Sequence, residues 1–198
     1  MVEAGLRDVH FKPSSNPHLI IPSGYNKGVV RGLPGNKIAN FLGGVAGNAG
    51  LFSTVDSIGY YTQLLLNKGK MPLGSRIFTE NVTTLFTTKV TTKSYNNTRA
   101  LGWDTVPLVD PPCGKKFSQH SFGFSDPFGS YLWTDKDKNI TIVLLAAGGY
   151  PVPNNLNHAK AQGEISDVIM TALGHWILID ISNIVKNYII IIPYWNAS

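Results

Sequence analysis

The sequence predicts an α+β fold: antiparallel strands with a helix packed on them near the C-terminal end. Three observations carry this. Residues 121–147 hold three short aromatic or apolar runs divided by turn residues. Two segments, 55–67 and 157–173, space apolar side chains at helical intervals. The chain is 43% hydrophobic and 15% charged, the range of an ordinary globular protein, so disorder and fibrous structure are excluded and one domain with a sizeable core is expected.

In chain order, residues 1–50 are rich in Gly, Pro and Asn and show no sustained period, which predicts a long loop crossing a surface. The first helix follows over residues 55–67. Val55, Ile58, Tyr61, Leu64 and Leu65 form one stripe, Ser53 or Thr54 serves as N-cap, Asp56 complements the helix dipole, and Gly69 stops the helix. A shorter helix is expected from Glu80 to Phe86, weakened by its threonines.

Further along, Ser121 to Phe124, Ser130 to Trp133 and Ile140 to Ala147 predict three antiparallel strands, with Asp135 to Asn139 as the turn before the last. The apolar third run is expected to be central or buried on both faces. Asn157 is the expected cap of a helix whose apolar positions are Ala161, Ile165, Val168, Ile169, Ala172 and Leu173, with Gly174 as its stop. Such a helix lays its stripe on the sheet.

The tail from His175 to Ser198 has two isoleucine-rich runs but carries Asp180 and Lys186. A membrane span needs about 20 mostly apolar residues, and a membrane is not an expected partner. Nucleic acid is not an expected partner either: the net charge is +5, but the basic residues are scattered, with Lys115-Lys116 the longest clean run. Cys113 is the one cysteine, which excludes a disulfide scaffold. His10, His18, His120, His158 and His175 show no metal-ligand spacing, and the Gly43 to Gly50 stretch lacks the Gly-Lys-Ser/Thr ending of a phosphate loop, so neither metal nor cofactor is expected. Met1 to Leu6 shows no secretory signal, and the sequons at Asn81, Asn96, Asn139 and Asn196 matter only in a secretory pathway.

The stretch Leu42-Gly43-Gly44-Val45-Ala46-Gly47-Asn48-Ala49-Gly50-Leu51-Phe52-Ser53-Thr54 closely resembles the LGGVAGHAGLFST block of β-lactamase-related serine hydrolases, the superfamily of class C β-lactamases, esterases and DD-peptidases. Other segments keep that family's order. Gly5 to Pro13 resembles its LGMKDTRFNP segment, the helix ending Leu64 to Gly69 its DLARFAQMLLNGG helix, Ala100 to Asp104 its ALGWD, and Phe117 to Asp135 its FSxxSFGHTGFTGTSLWID. Residues 1–173 are thus expected to be the C-terminal part of a β-lactamase/transpeptidase-like domain without its N-terminal catalytic half. Residues 174–198 form a hydrophobic tail outside the resemblance.

The family's chemistry uses a Ser-x-x-Lys, where the serine attacks an acyl carbonyl and the lysine helps take its proton, and a Tyr-x-Asn that also handles protons. No lysine here has a serine three residues before it. Tyr95-Asn96-Asn97 and Tyr194-Trp195-Asn196 both follow the glycine-rich block, whereas the family's motif precedes it. The third motif, Lys-Thr-Gly or His-Thr-Gly, aligns without a gap on Phe124-Ser125-Asp126, which keeps only the hydroxyl. A gapped alternative puts His120 on its first position. Asn48 stands where the family block has His, and reads as a turn residue among glycines.

The resemblance therefore implies a domain inactive as this chain. Two other readings stand beside it: part of a serine hydrolase whose nucleophile half a longer parent chain or separate chain supplies, or an interaction module. The expected partners are the missing half of the fold or a second copy.

Overall fold

The computed structural model describes residues 6, 8–14, 20–25, 29–71, 75–90, 99–126, 129–146, 157–176 and 188–191. The stretch expected to be one long loop is a set of short elements. Strand β1 (Val9–Phe11) pairs antiparallel with β4 (Leu51–Ser53) in the register Val9↔Ser53, and β2 (Gly24–Tyr25) pairs with β3 (Val29–Val30). Between them lies α1 (Lys37–Phe41), capped by the Asn36 side chain, which accepts from Ala39 N at 2.9 Å. Elements of two to five residues are too short to show a period in the sequence. Here β1 takes its hydrogen bonds from a strand more than forty residues on, a long-range pairing that local composition does not encode.

Helix α2 (Val55–Leu66) ends within a residue of its expected limit. Thr54 is the cap, its hydroxyl accepting from Ser57 N at 3.3 Å. Gly69 closes the C-terminal end at φ +83°, where a Cβ would lie 2.2 Å from Phe78 O, so no other residue fits.

Helix α3 (Glu80–Thr87) carries its threonines on the buried side: Thr83 and Thr87 return their hydroxyls to Thr79 O and Thr83 O, at 3.1 and 2.8 Å. That local bonding is what lowers threonine's helix propensity, and packing overrides it here.

The main sheet has the order β5 (Asp104–Thr105), β6 (Phe122–Ser125), β7 (Tyr131–Asp135), β8 (Ile140–Leu144), β9 (Tyr188–Ile191). The three predicted strands are its centre, and β5 to β8 are antiparallel throughout. The tail, read as lying outside the domain, gives the fifth strand, parallel to β8 from Thr141↔Tyr188 to Leu144↔Ile191. β8 is thus internal, and Thr141 to Leu144 are all buried, as a two-sided apolar strand must be.

Alternation divides the sheet into two faces. Tyr131, Trp133, Ile142 and Leu144 meet Ile169 and Met170 of α4 (Asn157–Trp176), with Val106, Cys113 and Phe117 completing the core. On the other face, Thr134 and Thr141 join hydroxyls at 3.0 Å, and α2 packs over β8.

The face that α4 buries keeps Ile165, Ile169 and Leu173 of the expected stripe and leaves out the other three positions. Val168 is 69% exposed, and Ala161 and Ala172 are exposed, while Gln162 and Ser166 are buried. Tyr131 is the reason. Its hydroxyl lies in the core and needs a partner, which Ser166 provides, and Ser166 in turn donates to Gln162 O at 2.9 Å. Burial pushes the Tyr131 phenol well above its usual value. Ser166 and Gln162 therefore share the buried face with Ile169 and Met170. Asn157 is the first helical residue, not its cap, and Gly174 does not stop the helix, which runs on to Trp176.

Candidate functional site

The residues that align with the family's third motif lie at the end of β6 and in its turn to β7. Phe124 is 46% exposed and pairs across the strands with Leu132. Ser125 is half-buried, and its hydroxyl accepts from Trp133 Nε1 at 3.0 Å. Asp126 closes the turn: its N–H donates to Ser130 O at 2.9 Å, and its Oδ1 accepts from Ser130 N at 3.1 Å. Ser125 and Asp126 thus each have a structural occupation. The one hydroxyl retained from the motif anchors an indole that is itself fully buried.

Gly123 explains how that indole fits. It pairs with Trp133 across the strands, and a Cβ there would lie 2.2 Å from Leu132 O and 2.5 Å from Trp133 Cδ2. Trp133 lies flat over a strand position that has no side chain. On the opposite face Phe122 takes the edge of Trp103 at 5.3 Å, and Lys136 Nζ sits 5.8 Å from its ring centroid while donating to Thr87 O at 2.9 Å. Burial holds the Lys136 ammonium below the usual lysine value, with the charge of Asp137 opposing.

His120, the gapped alternative, occupies the other end of β6. It lies in the turn that leads into β6, while Ser125 ends that strand, so the two alignments name two separate places. His120 is exposed, with Nδ1 3.0 Å from both carboxylate oxygens of Asp137. That hydrogen bond holds the Asp137 carboxyl below the usual carboxylate range, with Ser118 adding to it. A serine, a histidine and an aspartate are therefore neighbours, but in an unproductive order. The carboxylate lies between hydroxyl and imidazole, whereas a nucleophilic triad needs the imidazole between the other two.

Ser118 is further committed by Asp135, expected in the turn and found as the last residue of β7. Asp135 is fully buried and accepts from Ser118 N and Ser118 Oγ, both at 2.8 Å, and from Asp137 N and Lys138 N at 3.0 and 3.1 Å. Its signal is in the sequence: Asp-Lys-Asp-Lys-Asn after an apolar strand calls for a carboxylate to organise the turn. Ser121, beside His120, is buried with its hydroxyl 3.2 Å from that of Ser118.

Asn48 is exposed beside Gly47 in the two-residue turn closed by the Ala46↔Ala49 bridge, which agrees with a turn residue. Tyr95 to Asn97 and Tyr194 to Asn196 lie outside the described residues, as do the sequon asparagines Asn96 and Asn196; Asn81 and Asn139 are exposed. Among the described residues no group of three His, Cys, Asp or Glu side chains could hold a metal ion, and every buried side-chain nitrogen or oxygen has a hydrogen-bond partner. Burial pushes the Cys113 thiol up to about 12, which makes it a poor nucleophile. Neither family models nor curated proteins match this sequence.

Proposed function

We propose that this chain is a β-lactamase-related domain that performs no acyl-transfer chemistry by itself. The carrying observation is Ser125. At the place where the resemblance puts the motif's hydroxyl, the side chain is spent on Trp133, between an exposed Phe124 and a turn-bound Asp126. A nucleophilic serine needs a base within hydrogen-bond reach, in the order base, proton, hydroxyl. Ser118 lacks that order, and the hydroxyl of Ser125 is engaged by the Trp133 indole. The sequence supports the same reading, since no Ser-x-x-Lys occurs in it.

The test is hydrolysis of nitrocefin and p-nitrophenyl butyrate by the purified chain. Rates equal to buffer are expected. Turnover that co-purifies with the protein and is lost on a single serine substitution overturns the reading. If turnover appears only when a chain bearing Ser-x-x-Lys is joined to this one, the serine-hydrolase reading with a supplied nucleophile half replaces it.

A further inference from the structure

Residues 9–55 contain no aspartate or glutamate and carry Lys12, Lys27, Arg31 and Lys37. The described part of this segment carries exposed cations and an exposed apolar surface. Ala39 is the buried anchor of α1, and the i, i+3, i+4 positions Ile38, Phe41 and Leu42 are 67%, 91% and 60% exposed. α1 runs directly into Gly43 and Gly44, and a Cβ on Gly44 would meet Lys12 Cε at 3.1 Å and Leu33 Cδ2 at 3.5 Å. The Lys12 stem and the exposed Leu33 therefore lie beside the end of α1. Gly50 packs on Gly44 O and on Phe11, whose cross-strand partner is the exposed Leu51, so the apolar surface continues onto the β1/β4 pair. Lys12, Arg31 and Lys37 are all exposed, and Arg31 is tethered through its hydrogen bond to Ile20 O.

We propose that this face docks on an anionic lipid bilayer, with Ile38, Phe41 and Leu42 entering the headgroup layer and Lys12, Arg31 and Lys37 meeting lipid phosphate and carboxylate groups. Charge selects this occupant. A second copy placed by two-fold symmetry would bring the same acid-free, cationic patch against itself. An anionic bilayer offers an apolar layer and a negative surface together, which is the pairing of side chains found here. Docking of this kind is distinct from spanning: no described helix is long and apolar enough to cross a membrane.

Flotation of the full chain with vesicles tests the proposal, since bound protein rises with lipid while aggregates sink. Binding is expected to phosphatidylcholine vesicles containing phosphatidylserine, to weaken at high salt, and to be nearly absent with phosphatidylcholine alone. Changing Lys12, Arg31 and Lys37 together to Gln should lower partitioning on the order of a hundredfold. Phe41→Asp with Leu42→Asp should abolish it and leave the melting temperature unchanged, because both side chains are exposed. Flotation indifferent to phosphatidylserine or to salt overturns the proposal. So does absence of flotation with a dimer that Phe41→Asp dissolves, which would assign the face to a second copy.

Discussion

Replacing Ser125 by Ala removes the acceptor of the Trp133 indole N–H, 3.0 Å away, and leaves that donor in a core where Trp133 has no exposure. A buried donor stripped of its partner costs about 1–3 kcal/mol. Ser125 is only half-buried, so water reaches part of the space and the lower half of that range applies, about 1–2 kcal/mol. With a urea m-value of about 2 kcal/mol/M, the denaturation midpoint should fall by roughly 0.5–1 M. Ser125→Thr keeps the hydroxyl and should recover most of the loss. Trp133→Phe in the Ser125→Ala background should cost less than in the parent, with a coupling on the order of 1 kcal/mol. The readout is urea denaturation followed by far-UV circular dichroism, at unchanged m. A Ser125→Ala chain as stable as its parent, with no coupling to Trp133, would refute the reasoning and leave the hydroxyl free for chemistry.

Three further outcomes follow from the same geometry. Gly123→Ala has no room beside Leu132 O and the Trp133 ring, and should destabilise by about 3 kcal/mol or more, read as a lowered thermal midpoint. Asp135→Ala strands Ser118, Asp137 and Lys138 backbone donors and should cost about 3 kcal/mol or more, with the β7 to β8 turn losing amide exchange protection first. Cys113, raised from 9.0 to about 12, should react with a disulfide reagent at pH 8 on the order of a thousandfold more slowly than in the urea-unfolded chain. Its folded value lies above the unfolded one, so the stability it contributes is full below pH 9 and is lost as pH rises toward 12.

What could be read from the sequence is what local pattern and capping dictate. α2 carries its stripe, its Thr54 cap and its Gly69 stop within one stretch, and β6 to β8 carry turn residues between apolar runs. What could not be read depends on distant partners. β1 forms because β4 returns to it, and the buried Ser166 of α4 answers the hydroxyl of Tyr131, 35 residues away. For the candidate site the sequence supplied positions only, through the resemblance. Phe124, Ser125 and Asp126 were located as a group by alignment, and the structure places them together at one hairpin end. That Ser125 serves Trp133 was hidden, because the indole reaches it only through the gap left by Gly123.

Covalent labelling tests the absence of an activated serine most directly. The folded chain is exposed to a fluorophosphonate probe and, separately, to a β-lactam, and its intact mass is measured. Both reagents form adducts only where a serine is deprotonated by a positioned base. An unchanged mass with either reagent is predicted. A stoichiometric adduct that maps to one serine, Ser125 or Ser118 above all, and that vanishes when the chain is unfolded beforehand would contradict the account.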